Sequence, residues 1–127
     1  METTKVYLSG GFHSMWREKV KENLEGFTFF NPGDNQELNF SMDEIGVWNK
    51  HHLKKSDIVL AYFEKTNPVG LGLTAEMAYA YALGKTVIFV MEPNDTFKPR
   101  YLEFLKNFAT ITVEDLDEAI ELIRAHE

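Results

Sequence analysis

The chain of 127 residues contains no cysteine. That excludes a disulfide framework, a thiolate zinc site and a cysteine nucleophile. Long apolar runs are missing too: no stretch approaches the ~20 apolar residues that a helix needs to cross a bilayer, so a membrane is not an expected partner. Positive charge is scarce, with 13 Lys and Arg against 20 Asp and Glu and a formal net charge of −7. Such a balance argues against a protein that grips a DNA or RNA duplex by neutralising phosphates. It leaves room for a small anionic ligand in one local pocket. The first residues, Met1-Glu2-Thr3-Thr4-Lys5, run straight into a strand-like stretch and do not resemble a signal peptide. The expected compartment is the cytoplasm.

What is present fits one globular domain over residues 1–127, with 44% hydrophobic, 13% aromatic and 26% charged residues. The pattern alternates strand and helix. Strands are predicted at 5–9, 27–30, 57–63, 86–91 and 109–113. Helices are predicted at 14–25, 41–56, 73–83, 99–107 and 114–125. Ser41-Met42-Asp43-Glu44 has the form of a capping box, and Gly84 is placed to end a helix. The stretches 31–39, 64–72 and 93–97 read as loops. Residues 86–91 are almost continuously apolar, as expected of a strand covered on both faces. Five strands alternating with five helices predict an α/β fold: a three-layer, flavodoxin-like or Rossmann-like sandwich with a doubly wound, mainly parallel sheet. Ligands of such folds bind beyond the carboxyl ends of the strands, so chemistry is expected after Ser9, Phe30, Phe63 and Met91.

Several motifs fall there. Tyr7-Leu8-Ser9-Gly10-Gly11-Phe12-His13-Ser14 ends the first strand. Paired glycines let a ligand approach the backbone, and the following helix terminus favours an anion; a tight strand–helix turn explains them equally well. Tyr7 is either core or site, and His13, Ser14 and Arg17 face either a phosphate or solvent. Gly70-Leu71-Gly72-Leu73-Thr74-Ala75 has the G-x-G-x-x-A form, with Glu92 22 positions after Gly70. A dinucleotide site is disfavoured, because the motif falls mid-chain and little chain is left for a second substrate. Gly84-Lys85-Thr86 joins a helix to a strand, the wrong context for a phosphate-binding loop. Glu76 is expected in the first turn of the helix after Gly72. There it is either a plain helix-dipole partner or a nucleophile that the dipole keeps ionised. His51 and His52 project about 100° apart on a helix, which disfavours a metal site. Trp48, Phe63 and Tyr79 are expected to pack rather than to stack on a base.

Three segments together resemble the nucleoside 2-deoxyribosyltransferase family and the related deoxynucleoside 5′-monophosphate N-glycosidases. They are Val6-Tyr7-Leu8-Ser9-Gly10-Gly11, Ser56-Asp57-Ile58-Val59-Leu60-Ala61, and the run from Gly72-Leu73-Thr74-Ala75-Glu76-Met77 to Gly84-Lys85. The last is the most specific, and the likeness spans roughly residues 5–105. The resemblance implies that Glu76 attacks the anomeric carbon and forms a glycosyl ester, with Tyr7 beside it. It puts Gly10, Gly11, Phe12, Asn49, Gly70 and Gly72 around the substrate. It implies a deoxynucleoside or deoxynucleotide and a free base as partners, no metal and no cofactor. It also implies a homo-oligomer, with Tyr101 and Glu103 in the segment that meets a neighbouring subunit.

The chain departs from the family pattern in two places. An aspartate usually stands eight residues before the Asp of the Ser-Asp-Ile strand, and here that position is Asn49. The transferases carry another just before the Gly-Leu-Gly turn, where this chain has Asn67 and Pro68. An amide cannot protonate a leaving base, a contribution typically worth ~10²–10⁴-fold. In the monophosphate glycosidases, Ser and Arg stand in the first glycine turn; here Gly11 and His13 occupy the nearest places. The expected reaction is transfer of 2-deoxyribose between bases. Hydrolysis of deoxynucleoside 5′-monophosphates and a catalytically weak binding module are the alternatives.

Overall fold

The computed structural model describes residues 2–12, 14–32, 39–64, 70–93 and 100–126, with the side chains of Arg100 and Tyr101 left aside. The expectations on His13, Asn67, Pro68, the Tyr101 side chain and most of the loops 31–39, 64–72 and 93–97 lie outside these residues. Strand β1 (Thr4–Gly10) is followed by α1 (Trp16–Asn23), β2 (Phe27–Phe30) and α2 (Met42–Lys55). Then come β3 (Ile58–Phe63), α3 (Leu71–Ala82), β4 (Thr86–Met91) and α4 (Arg100–Leu105). A short 3₁₀ turn (Lys106–Phe108), β5 (Ile111–Val113) and α5 (Leu116–Ala125) complete the order.

The five strands form one parallel sheet in the order β2-β1-β3-β4-β5. The α/β, doubly wound prediction therefore holds. The chain moves outward from β1 to β2, then crosses back to β3 on the other side of β1. This makes the carboxyl ends of β1 and β3 the switch point, where a crevice opens in such sheets.

Alternation along the strands divides the core. Val6 and Leu8, with Ile58, Leu60, Ile88 and Val90, face α1 and α5, where Trp16, Val20, Ile120 and Ile123 cover them. Tyr7, Val59, Ala61, Phe63, Val87 and Phe89 face the other way, under Leu53 of α2, Met77 and Ala80 of α3, and Leu102 and Leu105 of α4. β3 is buried at every position, hence its unbroken apolar sequence.

Local signals explain the helix ends. Ser41 and Glu44 form the reciprocal capping box that starts α2. Gly84, at φ +78°, closes α3 in the left-handed conformation that glycine adopts without cost. Gly10 is required for a different reason. At φ +152° it pairs with Tyr62 of β3, and a Cβ there would lie 2.5 Å from the Tyr62 carbonyl oxygen.

Candidate active site

Tyr7 and Ser9 are two apart on β1, so both project from the α2–α3 side of the sheet. Both end on Glu76. The Tyr7 hydroxyl donates to Oε2 at 2.5 Å, and the Ser9 hydroxyl donates to Oε1 at 2.6 Å. Each carboxylate oxygen thus has its own donor, at the short length of charge-assisted bonds. Asn49 approaches from α2, its Nδ2 3.4 Å from Oε2. The Asn49 Oδ1 is buried and has no hydrogen-bond partner among the described residues.

Glu76 lies two residues deeper in its helix than the sequence suggests, in the second turn rather than the first. α3 begins at Leu71, before Gly72, so its first turn holds no acid. The expectation that the helix terminus keeps Glu76 ionised is therefore corrected, because that field falls off within the first turn. Burial raises the affinity of Glu76 for a proton above the ordinary carboxylate range. The bonds from Ser9 and Tyr7, the charge of Arg17 and the bond from Asn49 pull the other way without cancelling it. Tyr7 moves upward as well, chiefly by burial and then by the neighbouring Glu76 charge and bond. Its hydroxyl is therefore a protonated donor at neutral pH. Its ring is fixed from the side by Phe30, 5.1 Å away and stacked, which in turn stacks on His52 at 3.8 Å. Burial, then His51 and Lys55, lowers the affinity of His52 for a proton.

The glycine turn after β1 is organised by Arg17. This residue, expected to meet phosphate or solvent, is only 5% exposed. Its guanidinium donates to the carbonyls of Gly11, Leu8 and Gly10 at 2.7, 3.1 and 3.0 Å. The rings of Phe12 and Trp16 lie 4.2 and 4.5 Å from it. Ser14 donates to the buried carboxylate of Glu64 at 2.5 Å.

The remaining candidates separate. Phe12 is exposed and packs over Arg17. Gly70 caps α3, and a Cβ there would lie 2.7 Å from the Phe63 ring, so its small size serves packing. Gly72 is an exposed residue inside α3 with open space where a Cβ would stand. Glu92 accepts from the Tyr62 hydroxyl at 2.7 Å. Phe63 and Tyr79 join the core, whereas Trp48 stays 37% exposed and lines a cleft with Phe40 and Val47. His51 and His52 sit edge to face, and no group of three metal-ligating side chains occurs among the described residues. Nor is any described helix long and apolar enough to cross a membrane. Sequence reasoning gave Ser9 no role, although its spacing of two from Tyr7 was the available signal.

The chain is similar to several known proteins. YtoQ of Bacillus subtilis (strain 168) is 32% identical, with 93% of each chain covered. A conserved protein from Enterococcus faecalis V583 has a similar structure, at TM-score 0.76 and 16% identity over 99% of this chain and 100% of that one. The CMP N-glycosidase BcmB of Clostridium botulinum superposes at TM-score 0.60 and 18% identity, covering 98% of this chain and 100% of BcmB. The 2-desoxiribosyltransferase of Leishmania mexicana gives 0.58 and 20% identity, over 71% of this chain and 67% of that one. These three likenesses establish a shared fold. The model of nucleoside 2-deoxyribosyltransferase-like proteins matches residues 3–94, most of the chain and all of the elements that build the Glu76 site. This chain belongs to the nucleoside 2-deoxyribosyltransferase-like family.

Proposed function

We propose that the protein cleaves the N-glycosidic bond of 2′-deoxynucleosides and transfers the 2-deoxyribosyl group to a second base through an ester at Glu76. The reading rests on one observation: a carboxylate at the switch point of the sheet, with one hydroxyl donor on each oxygen. Family membership supports the substrate class.

The chemistry follows from a carboxylate held in that way. One oxygen of Glu76 attacks C1′ as the C1′–N bond breaks, and the bonding electrons leave with the base. The transition state resembles an oxocarbenium ion, as in retaining glycosidases that use a carboxylate nucleophile. A 2-deoxy sugar lacks the electron-withdrawing 2′-hydroxyl, so this cation forms more readily. The departing base takes its proton from water. Asn49 cannot supply it, but its unpartnered Oδ1 is suited to accept a hydroxyl or amino proton of the substrate. In the second step a nitrogen of the incoming base attacks C1′, the ester bond breaks, and the new nucleoside loses a proton to solvent. Tyr7 and Ser9 keep their bonds to the carboxylate and favour its return as a leaving group.

Hydrolysis of deoxynucleoside 5′-monophosphates is the second reading. It is favoured by the similarity to BcmB along nearly the whole of both chains. Water then replaces the incoming base, and the product is a sugar phosphate.

Intact-protein mass spectrometry, with base release followed in parallel, tests both. Wild type and Glu76→Ala are mixed with a panel of 2′-deoxynucleosides and their 5′-monophosphates. A deoxyribosyl adduct on wild type alone, with exchange of bases, is the expected result. Release from monophosphates without exchange selects hydrolysis. Unchanged release in Glu76→Ala removes Glu76 as nucleophile. No adduct and no release from any substrate moves the protein to a binding role.

A further inference from the structure

We infer that Arg17 is a positioning residue of the proposed site: its guanidinium clamps the turn after β1 and so sets the Ser9 hydroxyl and the Gly10–Gly11 backbone against Glu76. The inference rests on the reading of Glu76 as nucleophile.

Four observations carry it. First, the guanidinium is almost entirely buried. Withdrawing such a charge from water is costly unless its hydrogen bonds are met. Second, three of those bonds go to main-chain carbonyls of one short turn, Leu8, Gly10 and Gly11. A planar fork can span three acceptors in this way, whereas an ammonium is a point charge. Third, the fork is fixed by aromatic rings, Phe12 at 4.2 Å and Trp16 at 4.5 Å. Trp16 also donates from Nε1 to the Gly11 carbonyl at 3.1 Å. Fourth, Ser9 stands between the clamped Leu8 and Gly10 carbonyls, and its hydroxyl is the donor on Glu76 Oε1. A shift of this turn therefore moves that donor directly.

Arg17 reaches the site from the opposite face. Its helix α1 packs with Val6 and Leu8, while Glu76 belongs to the side of Tyr7. The guanidinium meets the turn where β1 ends, on the carbonyls that flank Ser9. The groups that act on Glu76 are Ser9 and Tyr7 from β1, Arg17 from α1 and Asn49 from α2. Of these, Arg17 alone is a cation, and it holds the Glu76 proton affinity down.

The test uses the full chain with Arg17→Met and Arg17→Lys, and Lys19→Met on the exposed side of the same helix as control. Ionisation of Glu76 is followed by carboxyl carbon-13 NMR, with Glu76→Gln identifying the signal; this needs no turnover. Base release from 2′-deoxyadenosine and 2′-deoxycytidine is measured against pH in parallel. Arg17→Met is expected to raise the Glu76 midpoint, to lower kcat by about 10- to 100-fold, as losing hydrogen bonds to a charged group does, and to leave KM nearly unchanged. Arg17→Lys should recover much of the midpoint and little of kcat, because it restores charge without the fork. Lys19→Met should match wild type in both. A wild-type midpoint and wild-type kcat in both Arg17 variants overturn the inference. If Arg17→Met does not fold, Arg17→Lys decides. If wild type releases no base from either probe, the nucleophile reading is in difficulty, while the NMR midpoints still decide whether Arg17 governs Glu76.

Discussion

The two faces of the sheet are made from alternate residues of the same strands, yet they differ in kind. Toward α1 and α5 the strands present Val6, Leu8, Ile58, Leu60, Ile88 and Val90, packed by Ile120 and Ile123. Tyr62 on this face carries a hydroxyl, and it reaches out to Glu92. Toward α2 and α3 the same sheet places Tyr7 and Ser9, then brings Glu76 and Asn49 onto them. A buried carboxylate lowers stability unless it is well hydrogen-bonded, and an apolar residue would pack there at less cost. One face is built for cohesion; the other gives up some cohesion to hold a charge in one place.

The largest expected effect breaks the second face. Glu76→Ala should lower base exchange by roughly 10⁴-fold or more, the scale of losing a nucleophile, read by chromatography of released base. Its counterpart is Ile120→Ala on the first face. That change should cost about 2–5 kcal/mol in urea unfolding and leave kcat of the folded protein unaltered. A fall in kcat well below the unfolding temperature would contradict the division of labour.

Smaller changes sharpen the contrast. Tyr7→Phe removes a bond to a charged group worth about 1.5–3 kcal/mol, so kcat should drop roughly 10- to 150-fold. A steady-state assay that found only KM altered would count against its role on the carboxylate.

The fourth prediction concerns stability and pH. The folded state raises the Glu76 proton affinity, so the ionised carboxylate opposes folding. Its contribution is fully favourable below the unfolded pKa and is lost as pH rises through the higher folded value. Glu76→Gln should therefore melt higher than wild type above that range, with the gain fading as the pH falls below it. Activity has the reverse dependence, since the nucleophile must be ionised: it should fall as pH falls through the same raised value. Melting curves and rate profiles over one buffer series check both.

The mildest change, Asn49→Asp, places a second carboxyl beside Glu76. Two such groups in contact share a proton, which raises one of the pair. The acid limb of the rate profile should move upward, and purine release should gain relative to pyrimidine release. An unchanged profile would show that position 49 does not meet the nucleophile in solution.

Much of the architecture was legible because its causes are local. The apolar run of β4, the Ser41–Glu44 box and the glycine at position 84 each specify an element or its end without help from elsewhere. Glu76 and Tyr7 were singled out by sequence, and the structure places them 2.5 Å apart. The start of α3 was not legible. Gly72 reads as a helix breaker, but the helix runs through it from Leu71, with Gly70 held against Phe63. Tertiary packing overrode the propensity of one residue.

Arg17 shows the limit most clearly. Its charge and its place at the start of a helix suggest a solvent or phosphate partner, because a lone Arg is seldom buried. The sequence alone determined the alternation of strand and helix and the period of two that sends Tyr7 and Ser9 to one face. Only the tertiary structure decided that Leu8, Gly10 and Gly11 would turn their carbonyls onto one guanidinium, and that Asn49 would arrive from another helix. Periodicity is a property of neighbours in the chain, whereas a hydrogen bond between distant residues exists only once packing has brought them within reach.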